Sequence, residues 1–338
     1  GHPSATTVEQ AGVLHYNGTN IRQPSSRPLA PPHDHTTKAS HMADETEHHT
    51  LRGHPDRVNA VVMTADGQLA ISASEDGTLK LWDLARSAEV RTLRGHTDRV
   101  NAVAVTPDGR LVASASEDGT LKLWDLAGDG EVRTLRGHSD RINAVAVTAD
   151  GRQAISASDD GTLKVWDLAR GTERDTLRGH TGWVLAVAIS ADGQQAVSAS
   201  EGGTLKVWDL ARGAALRTLR GHTDRVNAVA LTADGRQAVS ASADGTLKLW
   251  DLARGTELRT LRGHNDVVTT VAVTADGRRA VSASKDHTLK VWDLAAGAEL
   301  RTLRGYTDTV NAVALAADGR LAVSASDDGT LKLWPLTP

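Results

Sequence analysis

Tryptophan recurs every 42 residues along most of the chain, at Trp82, Trp124, Trp166, Trp208, Trp250, Trp292 and Trp334. A Gly-His pair keeps the same spacing in six copies, from Gly53-His54 to Gly263-His264, and Gly305-Tyr306 replaces it in the seventh. Residues 45–338 hold seven such periods with no insertion. A unit this short cannot bury its own apolar face, so it must stack on neighbours of its own kind.

Within a copy the signals are those of short strands. In the first, residues 58–63 are apolar and largely β-branched, and Ala65-Asp66-Gly67 is a turn. Residues 69–74 read as a second strand, closed by the tight-turn dipeptide Asp76-Gly77. Residues 78–84 alternate Leu79 and Leu81 with Thr78, Lys80 and Trp82, the period of a third strand. After a loop at 85–88, residues 89–93 form a fourth, more polar strand. Four antiparallel strands per copy, stacked seven times into a ring, give an all-β fold, a seven-bladed β-propeller.

Composition narrows the function. Lys and Arg number 38 against 42 Asp and Glu, for a net charge of −4, so no basic surface for nucleic acid is expected. No stretch approaches 18 consecutive apolar residues, and no basic stretch followed by an apolar run opens the chain, which points to a cytoplasmic protein. With no cysteine, thiolate chemistry and Cys-based zinc sites are excluded. Abundant Ala and Arg with little Lys fit a GC-rich bacterial coding sequence.

Gly-His, then Ser-Ala-Ser-x-Asp-Gly-Thr, then Trp-Asp resembles the WD40 repeat family over residues 45–338. The last dipeptide is intact in six copies and becomes Trp334-Pro335 in the seventh. The resemblance implies radial four-stranded blades around a channel. It also implies a monomeric, non-enzymatic platform for a protein or peptide partner, with no cofactor, metal, nucleic acid or membrane. In bacteria such modules resemble the sensor or scaffold half of larger signalling proteins. The rival reading is a designed or recently amplified repeat with no dedicated ligand, and an enzyme or small-ligand binder using the channel is a third.

Repeat copies and blades need not be in phase. The chain ends just after the third strand of the last copy, and residues 47–52 align with 131–136, an outer strand. Residues 46–52 are therefore expected to complete the blade whose inner strands lie within 307–335. Residues 1–42 carry Pro24-Ser25-Ser26 and a proline-rich run at 28–32, and read as a disordered tag or linker ahead of a propeller at 43–338. Ser40-His41-Met42 resembles a cloning scar, which puts the native start at Met42 or Ala43. The histidines at 33, 35, 41, 48 and 49 are read as adventitious metal ligands only.

Each full copy holds His, Ser, Asp and Trp at fixed offsets: His54, Ser72, Asp76 and Trp82; His96, Ser114, Asp118 and Trp124; His138, Ser156, Asp160 and Trp166; His222, Ser240, Asp244 and Trp250; His264, Ser282, Asp286 and Trp292. Ser, His and Asp suggest a catalytic triad. Recurrence in every blade argues instead for a structural tetrad, and the resemblance implies a buried chain of hydrogen bonds. Two copies depart. The fourth has Gly202 where Asp belongs, and the seventh has Tyr306 for His. Loss of the Asp is expected to cost about 1–3 kcal/mol, so Gly202→Asp should stabilise.

The third and fifth residues after each Gly-His are expected to face the channel rim, where the resemblance places the partner. The third-residue set is Arg57, Arg99, Arg141, Trp183, Arg225, Val267 and Thr309, and the fifth is Asn59, Asn101, Asn143, Leu185, Asn227, Thr269 and Asn311. With the acids preceding the tetrad Asp, the arginines read as a self-neutralising ring of ion pairs. Trp183, Leu185 and Val267 break it, and mark copies four to six as the expected docking patch.

Overall fold

The period-2 segments of every copy form antiparallel strands. A computed structural model describes residues 49–128 and 130–336, and expectations for residues 1–42, and for 46–48 of the closing strand, lie outside them. Blade 1 comprises, from the channel outward, Val58–Met63, Leu69–Ser74, Thr78–Asp83 and Ala88–Arg94. Blades 2 to 6 repeat this order, and blade 4 runs Val184–Ile189, Gln195–Ser200, Thr204–Asp209 and Ala214–Arg220. Innermost strands contact one another in cyclic order, and Val310–Leu315 of blade 7 meets Val58–Met63 of blade 1. Seven four-stranded antiparallel sheets thus close into a propeller.

The ring is closed by both ends of the chain. His49–Arg52 pairs antiparallel with Thr330–Pro335, matching His49 with Leu333 and Arg52 with Thr330. One sheet therefore pairs residues 278 to 284 positions apart, and opening it would leave a row of unpaired backbone groups.

The core lies between the blades. Trp208 is buried among Ile155, Leu163 and Val165 of blade 3, and Trp166 among Ala113, Leu121 and Leu123 of blade 2. All seven repeat tryptophans are 1% exposed. In blades 1, 2, 3, 5 and 6 the Gly of the Gly-His pair makes room for this packing: a Cβ at Gly53 would stand 2.8 Å from Cη2 of Trp82 and 3.0 Å from Oε2 of Glu89. The adjoining Asp-Gly turn has a different need, since Gly77 has φ +77°, a region that costs a side chain about 1–2 kcal/mol.

Candidate functional site

A β-bulge in the first hairpin of each blade decides what reaches the rim. Val58 pairs with Ser74 but Ala60 with Ala73, leaving Asn59 as the extra residue. The bulge turns Asn59 sideways, so its Nδ2 donates to Val100 O of the next blade at 3.1 Å. Asn101, Asn143 and Asn227 reach the next innermost strand likewise, and Asn311 closes the circle on Val58 O at 3.1 Å. Thr269 substitutes with its hydroxyl, 2.5 Å from Val310 O. The fifth-residue positions are therefore interblade staples. Leu185 corrects the sequence expectation: it occupies the same bulge, is 8% exposed, and packs against Val226 and Ala228 of blade 5. The seam there carries an apolar contact in place of the side-chain hydrogen bond that Asn or Thr makes in the other six blades.

Behind the rim sit the tetrads. His54 Nδ1 lies 2.8 Å from Asp76 Oδ2, His54 Nε2 2.7 Å from Ser72 Oγ, and Trp82 Nε1 donates to that Oγ at 2.8 Å. The tetrads of His96, His138, His222 and His264 repeat these distances to within 0.1 Å. Because the indole N–H already donates to Ser72, the hydroxyl proton goes to His54 Nε2, and His54 Nδ1–H donates to Asp76. Burial pulls the Asp76 carboxyl upward, but hydrogen bonds from His54 and Thr78 outweigh it and hold it at about 2. The same opposition leaves Asp118, Asp160, Asp244 and Asp286 below the ordinary range. The bond lengths are those of a triad, yet Ser72 is 0% exposed and its Oγ already accepts from the indole N–H of Trp82 and donates to the imidazole of His54, the arrangement of a buried structural link.

A second unit escaped sequence reasoning. Lys80 is 8% exposed, with its Nζ 2.8 Å from Glu89 Oε2 and 2.8 Å from Thr92 Oγ1. Blades 2, 3, 5 and 6 repeat this Lys, Glu and Thr arrangement. The signal was present, as a Lys and a Glu nine positions apart in five copies. In blade 4 Ala215 stands opposite Trp208, where Glu89 stands opposite Trp82, so among the described residues Lys206 meets only Thr218 Oγ1, at 2.9 Å.

Blade 4 thus lacks two carboxylates. His180 keeps Ser198 at 2.6 Å, and Trp208 Nε1 keeps it at 2.8 Å. Burial, and then the charge of Lys206, hold the His180 imidazole down at about 4. In blade 7 the Tyr306 hydroxyl does reach Ser324 Oγ, at 2.7 Å, and Trp334 donates to the same oxygen.

On the rim, charges run as a chain across four blades. Arg57 lies 3.7 Å from Asp327 of blade 7 and 3.9 Å from Glu75, and Arg99 lies 3.4 Å from Glu75 and 3.9 Å from Glu117. Arg141 continues to Glu117 at 3.9 Å and to Asp159. Burial pushes the Glu75, Asp159 and Asp327 carboxyls up, with Arg neighbours opposing it. Next to Arg141 stands Trp183, which is 42% exposed and carries the Arg141 guanidinium over its ring at 5.0 Å. Beyond it, Arg225, Val267 and Thr309 are half-buried. Shallow clefts between adjacent rim loops, about 460 Å³ at Glu117–Arg141 and 320 Å³ at Ala243–Val267, complete this face.

The WD domain, G-beta repeat family model matches residues 45–83, 87–125, 130–167, 171–209, 213–251, 255–293 and 297–335. The chain belongs to the WD40 repeat family. No curated protein matches it. WD40 propellers generally serve as scaffolds for protein partners, typically without catalysis of their own. Among the described residues no helix is long and apolar enough to cross a membrane, and no cluster of three or more His, Asp or Glu is arranged to hold a metal ion.

Proposed function

We propose that this WD40 propeller is a rigid platform that captures a protein or peptide partner on the rim formed by its Gly-His loops, with Trp183 as the anchor. The observation that carries the reading is an indole 42% exposed at a position where blades 1 to 3 place charge-paired arginines. Trp183 is the bulkiest exposed apolar side chain among the described residues. A rim Trp has no core to fill, and Trp leads the residues that dominate binding energy at interfaces. Arg141 already restrains the ring, a contact worth about 0.5–1 kcal/mol at an exposed site, so little rotamer freedom is lost on docking.

Val267 of blade 6, half-buried, adds apolar surface to the same rim, with Arg225 of blade 5 between it and Trp183. Arg57, Arg99, Arg141 and Arg225 form the polar surround, where paired charges steer and orient a partner more than they tighten it. The test is capture of a partner from the native cell by the wild type and by Trp183→Ala. The reading requires the variant to lose that partner while melting within a few degrees of the wild type. A partner retained by Trp183→Ala removes the site, and a rim that captures nothing in either form favours an amplified repeat without a ligand.

A further inference from the structure

In five blades one carboxylate is received by a fixed set of donors. In blade 2 these are His96 Nδ1–H at 2.8 Å, Thr97 N–H at 3.2 Å, Thr120 N–H at 2.9 Å and Thr120 Oγ1–H at 2.6 Å, all on Asp118. Blades 3, 5 and 6 repeat all four, and blade 1 lacks only the N–H that Pro55 cannot supply.

Blade 4 keeps the frame and omits the carboxylate. Its turn is unchanged, with Glu201 N–H on Trp183 O at 3.0 Å and Gly203 N–H on Ser200 O at 3.2 Å, as Glu117 and Gly119 show in blade 2. The imidazole of His180 lies 6.0 Å from the Trp208 ring, against 6.1 Å in blade 2. Its Nδ1 has no partner among the described residues. A Cβ on Gly202 would have nothing nearer than Ser200 Oγ at 3.9 Å, and Gly202 itself is exposed, so the vacancy opens to solvent. Thr204 is half-buried where Thr120 is buried.

We infer that the His180–Gly202–Thr204 vacancy of blade 4 binds one carboxylate group, seated as the side chain of Asp118 is seated in blade 2. A second, independent substitution favours an anion there. Ala215 removes the Glu that neutralises the Lys in blades 1, 2, 3, 5 and 6, so Lys206 has no carboxylate partner among the described residues, and its Cε lies 3.8 Å from the Cβ position of Gly179, the residue before His180. The depressed titration of His180, caused in part by Lys206, shows that its charge reaches the imidazole. Two contacts compete: Ser200 Oγ, whose counterpart Ser116 bonds the carbonyls of Asp98 and Arg99, here turns to donate to Thr204 O at 3.1 Å and lies 3.2 Å from Thr204 Oγ1, and must swing back. Glu201 lies on the same turn, exposed, with its Oε2 3.6 Å from the Cβ position of Gly182. The site does not depend on Trp183, and its failure would leave the docking reading standing.

The experiment uses the full chain labelled at histidine, with the His180 resonance assigned by its loss in His180→Gln. Sodium formate and acetate are titrated to about 100 mM at constant ionic strength, because even at the ceiling of binding energy per heavy atom such ligands bind no tighter than about 0.05–0.5 mM, and ordinary ones far more weakly. Acetamide, the same shape without charge, is the control, and a blocked Gly-Asp-Gly peptide is a second probe. A saturable shift with acetate and with the peptide supports the inference with a partner's acidic side chain as the source. A shift with acetate alone supports it with a free organic acid. No saturable shift, an equal response to acetamide, or an equal response in Gly202→Asp would overturn it; that variant folds by the same frame as its five siblings and fills the pocket itself.

Discussion

Blades 1 and 4 share register, strand lengths and the Ser–Trp bond at the centre of the tetrad, yet differ in how their polar groups are satisfied. In blade 1 three basic groups each meet an acid of the same repeat: His54 meets Asp76, Lys80 meets Glu89 and Arg57 meets Glu75. In blade 4 the equivalents of both first acids are gone, the arginine is an exposed tryptophan, and the asparagine staple is a leucine. The repeat therefore has two layers. Apolar interblade packing is common to all seven copies and makes the ring, whereas the polar dressing of the rim can be stripped from one blade without disturbing that packing. Partner-facing chemistry belongs in the second layer.

The comparison breaks if the two layers are not separable. Trp82→Ala and Trp208→Ala should each cost about 3–5 kcal/mol in denaturant unfolding, and by nearly equal amounts, because both indoles are 1% exposed and hold their serines at 2.8 Å. A much smaller loss at Trp208 would show that blade 4 is loosened to its core.

Acid sharpens it next. His180 titrates at about 4 in the folded protein against an ordinary 6.5, so the unfolded chain binds its proton first. Stability should fall as pH drops from about 6.5 to about 4, by roughly 3 kcal/mol, with His138 adding in the same direction. Gly202→Asp should flatten this window, since the new carboxylate favours the imidazolium. Below it Asp76, folded value about 2, takes over: its contribution is present above pH 4 and lost as pH falls toward 2. Thermal melts across pH 7 to 4 read the first window directly. Asp76→Gly, which imposes the blade 4 vacancy on blade 1, should then cost about 1–3 kcal/mol and create a second histidine that responds to acetate.

Much of this was legible beforehand. The 42-residue spacing of tryptophan specified seven blades, and the alignment of 47–52 with 131–136 specified the closing strand, because both depend on period and phase. What was not legible depends on a single residue of register. The bulge at Val184 and Ala186 turns Leu185 into a seam, and no pattern of apolar and polar residues reveals it. The Lys80–Glu89 pair was hidden for a related reason: a second bulge, between Leu81 and Trp82, sets Glu89 against Trp82. Trp183 could be picked out only because its six siblings are not aromatic.

The most direct test restores to blade 4 what its siblings keep. Gly202→Asp with Ala215→Glu rebuilds both acid partners, and the melting temperature of the doubly substituted chain decides the matter. If the polar layer of blade 4 is a deficit carried on an intact apolar frame, the midpoint rises by about 2–5 °C, the equivalent of about 1–3 kcal/mol in a domain of this size. A midpoint that stays put or falls would mean that blade 4 was never a depleted copy of blade 1.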